Sequence, residues 1–339
     1  QQSSVQWSNY VGTNVSSRNS VQNMRTRPYP MIAADNSYGP YRGRLYCVYA
    51  SNTPSGSGNK PDVFCRYSSN GGVSWSSAVV VNDDPGTTAN HQWHPSVWCD
   101  KETGRLYVMW MDTRDTPTSD SAFIYAAYST TGGASFSANQ RISNAKMKID
   151  CPTCGGGGTP RYQGDYNGVV SNKKTSMIGW TDFRSGTFQS MTAYFPDFAM
   201  SIDHTSHTLY TATDSATFQV SVPAVKLYAD TVVISVVISP LPTNGSLSVS
   251  FPSGNQLTTF PGSKPVRIRL WGAVPAGTYS VTFTAAGPNG TPVDRRTATL
   301  TVVAGSNLQA SVTLQPDRQV CAGDTVHVPI RVTGSNIHC

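Results

Sequence analysis

The stretch YSSNGGVSW, Tyr67 to Trp75, returns 61 positions later as YSTTGGASF, Tyr128 to Phe136. Upstream of each stands Gly-Arg-Leu-Tyr, at Gly43 and again at Gly104, with the same offset. Two segments held in register over such a span mark a repeated structural unit rather than a bias of composition. The runs between are short, rich in β-branched and aromatic residues and bounded by Gly, Asn, Asp and Ser, which predicts strands joined by tight turns.

The repeat extends further. YPMIAAD ends at Asp35 and HPSVWCD at Asp100; their offset is 65 because the first copy carries a longer turn. A shorter third copy reads GDYNGVV, from Gly164, followed by TSMIGWTDF, from Thr175. Each unit therefore predicts strand, turn, strand, loop, strand, tight turn, strand. In the quoted corner, Gly71-Gly72 and Gly132-Gly133 supply positive φ, Ser68 and Ser129 can bond turn amides, and Trp75 and Phe136 fold underneath as plugs.

Ser68 to Trp75 and Ser129 to Phe136 resemble the Asp-box (BNR) repeats of sialidases and similar β-propellers, with Asn70 and Thr131 where the box has aspartate. The run from Val81 to Asp115, and GDYNGVVSNKKTSMIGWTDFR from Gly164 to Arg184, resemble secreted bacterial proteins of the same kind. Together these cover Arg27 to Met200. The resemblance implies propeller blades whose Asp-box turns lie on the periphery, away from any central pocket. Closed propellers take about four to eight blades, and three are legible. Further blades outside this chain, a partner chain and an open arc are the three ways to complete the set.

Beyond Phe198 the alternation continues with Pro- and Gly-rich turns, the pattern of a β-sandwich. Val274 to Val303 resembles the closing hairpin of bacterial immunoglobulin-like modules, and Val312 to Gly334 begins such a pattern again before the chain ends. The expected class is all-β: propeller blades over 1–197, an Ig-like sandwich over 198–303 and a truncated second module over 304–339.

With 13% charged residues and a net charge of +6 spread along 339 residues, the chain offers no concentrated nucleic-acid surface. Its longest apolar run, Val232 to Ile238, is too short to span a bilayer. Gln1 follows no leader, so either a signal peptide has been removed or the chain begins partway along a longer protein. Asn14, Asn244 and Asn289 head glycosylation sequons. Seven cysteines suggest disulfides and an extracellular setting: Cys47 with Cys65, Cys151 with Cys154, and Cys321 with Cys339, leaving Cys99 alone.

Several constellations could carry chemistry. Trp110, Asp112 and Arg114 share the spacing Trp-x-Asp-x-Arg with Trp180, Asp182 and Arg184. The resemblance implies arginines that grip an acidic sugar; the plainer reading is an Asp-Arg pair beside an indole that fixes a strand end. A sialidase also needs a tyrosine nucleophile, a glutamate that activates it and an acidic general acid. The one glutamate, Glu102, sits in a turn, and Arg27 stands directly before Pro28, so only Tyr166 beside Asp165 merits attention as a catalytic pair. Asp83 and Asp84 are candidates for a structural calcium, while His91 and His94 read as a polar loop. No other cofactor is expected.

The functional expectation is a secreted or cell-surface adhesive or structural protein, non-catalytic in this stretch, that binds glycan or self-associates by strand complementation. The alternative is a sialidase-type hydrolase with part of its catalytic set elsewhere.

Overall fold

The structure is a computed structural model that describes residues 29–51, 61–84, 90–116, 121–148, 166–210, 213–303, 309–312 and 330–333. It is all-β, and no helix among these residues is long and apolar enough to cross a membrane. The chain divides into two compact units. The first holds the described residues up to Ala199 together with Ala224–Asp230 and Gly287–Pro292; the second holds Met200–Pro223, Thr231–Ala286 and the described residues from Val293 onward.

In the first unit, β1 (Met31–Ala34), β2 (Leu45–Ser51), β3 (Asp62–Ser68) and β4 (Val79–Val80) form an antiparallel meander in that order. A second meander repeats it with β5 (Gln92–Cys99), β6 (Leu106–Asp112), β7 (Ser121–Ser129) and β8 (Gln140–Arg141), with β9 (Met147–Lys148) pairing to β7. A third sheet has β10 (Gly168–Asn172), β11 (Thr175–Asp182) and β12 (Gln189–Phe195).

Burial along the strands explains their composition. Every residue of β6, LYVMWMD, is buried, because this strand lies in a sheet covered on both faces and so loses the polar alternation of a half-solvated strand. Its even-numbered apolar residues, Leu106, Val108 and Trp110, pack with Tyr46, Val48 and Val63 of the first sheet. Its odd-numbered ones, Tyr107, Met109 and Met111, pack with Ile178, Trp180 and Phe195 of the third. The three sheets are therefore stacked layers with apolar fillings.

The register of β2 and β3 corrects one expectation. Cys47 lies opposite Arg66, and Cys65 opposite Val48. A one-residue offset puts two side chains on opposite faces of a sheet, and accordingly Cys65 joins the filling toward the second sheet while Cys47 packs with Tyr49 and Phe64 on the far side. Both are free thiols, as is Cys99. Cys151, Cys154, Cys321 and Cys339 lie outside the described residues.

The short strands β13 (Asp197–Phe198) and β17 (Ala224–Val225) pair within the first unit. The second unit is a two-sheet sandwich. One sheet orders β14 (Ser201–Ile202), β16 (Ser215–Val222), β21 (Gly262–Trp271) and β19 (Ser246–Ser250). The other orders β15 (Ser206–Leu209), β23 (Val293–Val302), β22 (Gly277–Ala286), β18 (Val232–Ser239) and β20 (Gln256–Leu257), with β15 parallel to β23. Here alternation returns: Ala216, Phe218, Val220 and Val222 of β16 are buried and the residues between them are not. Phe218 meets Phe283 of β22 across the core at 5.0 Å. Past the sandwich, β24 (Gln309–Val312) and β25 (Ile330–Thr333) pair antiparallel.

Candidate functional site

The repeated corner is built by its serine. Ser68 Oγ accepts hydrogen bonds from the amides of Gly72 at 2.9 Å and Asn70 at 3.4 Å; Ser129 Oγ does the same for Gly133 at 3.0 Å and Thr131 at 3.2 Å. The residues in the aspartate position keep a second acceptor in place. Asn70 Oδ1 accepts from the Ser74 amide, and Thr131 Oγ1 from the Ser135 amide, both at 2.9 Å. Gly71, Gly72, Gly132 and Gly133 all have φ between 62° and 89°, where a side chain would be strained. Trp75 packs under its corner against Cys47, Tyr49 and Phe64, and Phe136 packs against the filling between the first two sheets.

Gly-Arg-Leu-Tyr completes the corner. The Arg44 guanidinium lies over the Tyr67 ring at 4.2 Å and the Tyr41 ring at 4.5 Å, and its Nη1 donates to the Gly132 carbonyl of the next sheet at 2.6 Å. Arg105 lies over Tyr128 at 4.4 Å and donates to the Lys174 carbonyl of the third sheet at 3.0 Å. Neither arginine stood out in the sequence; their place beside the repeated tyrosine was the available signal.

Trp-x-Asp-x-Arg is a second fastener. Asp112 accepts from Trp110 Nε1 at 2.8 Å, the Arg114 amide at 2.8 Å and Arg114 Nε at 2.9 Å. Asp182 repeats this with Trp180 Nε1 at 3.0 Å, the Arg184 amide at 2.8 Å and Arg184 Nε at 2.9 Å. Each guanidinium then reaches back one sheet: Arg114 Nη1 donates to Asp83 at 2.6 Å, and Arg184 Nη1 to Asn144 at 2.6 Å. Asp83 and Asn144 are themselves 61 positions apart. Just before them Asn82 Oδ1 accepts from the Val63 amide at 2.8 Å and Ser143 Oγ from the Ile124 amide at 2.9 Å. The repeat thus runs past each corner into the following loop, which the sequence did not make evident because Asn82-Asp83 and Ser143-Asn144 match at neither position.

These partners engage Nε and both terminal nitrogens of each arginine. Arg114 also donates to Asn139 at 2.9 Å, pairs with Asp84 at 3.4 Å and lies over the Tyr125 ring at 4.4 Å. Burial alone would lower its pKa; the facing Asp112 carboxylate outweighs that and raises it well above the ordinary arginine value. Asp83 and Asp84 therefore face a guanidinium rather than a vacant calcium position. Among the described residues no three His, Cys, Asp or Glu side chains are grouped to hold a metal.

The remaining candidates do not gather. Tyr166 is 88% exposed, without the enclosure that a desolvated nucleophile needs, and Asp165 lies outside the described residues. Glu102 pairs with Lys173 at 3.3 Å in an exposed turn. His91 and His94 are both buried; His91 immediately precedes β5, and His94, with φ +48°, sits in the bulge where strand register breaks between Trp93 and Ser96.

No protein-family model matches the chain, and no curated protein matches it. Similar solved structures include a family 117 glycoside hydrolase from the marine bacterium Zobellia galactanivorans, 10% identical over 72% of this chain and 84% of that one, with a TM-score of 0.31. An N-acetylgalactosamine deacetylase from F. plautii, in complex with blood group B trisaccharide, is 13% identical over 74% of this chain, with a TM-score of 0.26. The present chain spans about half of that enzyme, 52%. An α-L-arabinofuranosidase from Fusarium graminearum is 12% identical over 84% of this chain and 79% of that one, with a TM-score of 0.26. Likenesses at these scores carry no argument about mechanism.

Proposed function

We propose that the chain is a non-catalytic, secreted or cell-surface protein that presents a glycan-binding surface on rigid β modules. On this reading the three stacked sheets are Asp-box blades and the sandwich is an Ig-like module. The observation that carries it is the commitment of Arg114 and Arg184: the two guanidinium groups best suited to an acidic sugar are held by Asp112, Asp83, Asp182 and Asn144 as joints between layers. A joint of that kind gains rigidity at the expense of a ligand contact. The extracellular setting rests on the Ser-, Thr- and Gly-rich composition, since the Cys47 and Cys65 pairing no longer supports it.

The test sets binding against turnover. Immobilised glycans of varied charge should retain the protein, and a fluorogenic sialoside should remain intact in its presence. Sialoside cleavage by the parent protein would replace this reading with the hydrolase.

A further inference from the structure

The sandwich of the second unit has one face unlike the other described sheets. In the four-stranded sheet, β21 directs Val266, Ile268 and Leu270 into the core, so Arg267, Arg269 and Trp271 stand on the solvent side. Trp271 is 48% exposed, large for an indole with no part in the core. The Arg269 guanidinium lies over it at 4.0 Å, and Arg269 Nε is buried there with no acceptor. Arg267 donates to the Ser215 hydroxyl through Nη2 at 3.1 Å and Nε at 3.3 Å.

The flanks of this row are hydroxyls. Register places Ser215 and Thr217 of β16 on one side of the two arginines, and Ser248 and Ser250 of β19 on the other. The four strands contain no Asp or Glu, and among the described residues neither arginine has a carboxylate partner. Arg114, Arg184 and Arg296, by contrast, are each paired with an aspartate. Toward the other end of the strand the same face runs into a shallow depression of about 410 Å³ lined by Ser201, Ser221 and Ser263 together with Val222, Pro223 and Pro261. From Ser263 to Trp271 is eight strand steps, about 27 Å at roughly 3.4 Å each, a length suited to an oligosaccharide and not to a single sugar.

We propose that this face binds an acidic polysaccharide, sulfated or uronic, with Trp271 stacking on a sugar ring and Arg267 and Arg269 on its anionic groups. It rests on the glycan-binding reading above and supplies that reading's ligand class and location. Uncompensated guanidinium groups call for an anion, since opposite charge fills their bonding capacity in bidentate form. One exposed indole among hydroxyl-bearing residues matches the apolar face and hydroxyl rim of a pyranose. A duplex nucleic acid would instead call for a broader basic field than two arginines supply.

The experiment measures binding of the full chain to dextran sulfate, to neutral dextran of equal length and to a DNA duplex, each at two salt concentrations. Dextran sulfate should bind, with neutral dextran much weaker. Trp271→Ala should weaken binding about tenfold, as should Arg267→Ala with Arg269→Ala, while melting temperatures stay at the parent's. A control removing Arg295 and Arg296, two cations of the other sheet, should bind as the parent does. Equal loss in that control, or DNA binding as tight as dextran sulfate, would reduce the effect to net charge and overturn the proposal. Dextran sulfate binding untouched by the Trp271 and Arg267/Arg269 variants would move the site elsewhere while sparing the glycan reading. Binding to neutral glycans alone would likewise overturn the acidic ligand and spare that reading, and no binding to any glycan would overturn both.

Discussion

Arg44 and Gly132, 88 positions apart, are joined by a 2.6 Å hydrogen bond from a guanidinium to a main-chain carbonyl. Gly132 and its repeat mate Gly71 share a left-handed backbone, φ +62° and +69°, yet only Gly132 is hemmed in. A Cβ there would come 2.5 Å from Arg44 Nη1 and 2.6 Å from Tyr41 Cγ; at Gly71 it would meet nothing within 4 Å. Gly71→Ala should therefore cost about 1 kcal/mol, the backbone penalty, and Gly132→Ala about 3 kcal/mol, since the arginine and tyrosine must also shift. Urea denaturation compares them; equal losses would mean that the Arg44 anchor gives way freely.

The two arginine fasteners should differ in strength. Arg114 has a side chain 14% exposed and faces three aspartates, whereas Arg184 is 21% exposed with Asp182 and the neutral Asn144. Arg114→Ala should cost about 3 kcal/mol by leaving the buried Asp112 and Asp84 carboxylates uncompensated, and Arg184→Ala about 2 kcal/mol because Asp182 alone is left so. Burial raises the Asp112 carboxyl even with Arg114 beside it. Without the arginine it would protonate more readily still, so the loss in Arg114→Ala should be largest at neutral pH and shrink as the pH falls toward 4. Denaturation at both pH values checks the ordering and its trend.

Acid should loosen the first unit at two carboxylates. Burial pushes Asp100 upward, but hydrogen bonds from Ser171, Thr103 and Glu102 outweigh it and hold it below its ordinary 3.8. Asp182 is likewise lowered, burial being overcome by Arg184 and Trp180. A carboxyl depressed in the folded state stabilises fully above its unfolded value and ceases to do so as the pH drops through the folded one. Melting temperature should therefore fall below pH 3.8 in the parent and less steeply in Asp100→Asn, whose midpoint at pH 7 should already be lower.

Thiol chemistry should follow burial. Burial pushes Cys47 up to about 11 and Cys65 and Cys99 up to about 12, so each stays protonated and shielded at neutral pH. In native protein, iodoacetamide should leave these three unmodified; in denaturant without reductant, all three should be alkylated. A peptide cross-link between Cys47 and Cys65 would contradict the strand register.

Much of the architecture was legible because the repeat preserved spacing. Corners, strand order and sheet boundaries follow from residues such as Ser68, Gly72 and Leu45, whose roles are set by neighbours a few positions away. Register was not legible at the level that chemistry requires: β2 and β3 are neighbours, but a single step decides whether Cys47 and Cys65 meet, and Arg66 sits where the second sulfur would have to be. The Trp-x-Asp-x-Arg motif similarly revealed its local triad and hid its purpose, because Asp83 and Asn144 lie in loops 31 and 40 positions before their arginines. The arginines and indole of VRIRLW alternate plainly, but the run occurs once, so no repeat sets it apart from an ordinary half-buried strand.

The middle sheet carries connectors in both directions: Arg105 clasps the main chain of its successor, and Arg114 clasps the loop of its predecessor. Because the forward clasp of Arg105 ends on the Lys174 carbonyl, a group every residue possesses, replacing the Lys174 side chain leaves the acceptor in place. A gene encoding such a segment could be copied or excised whole by unequal crossing-over, and the new junction would inherit a working half of each coupling.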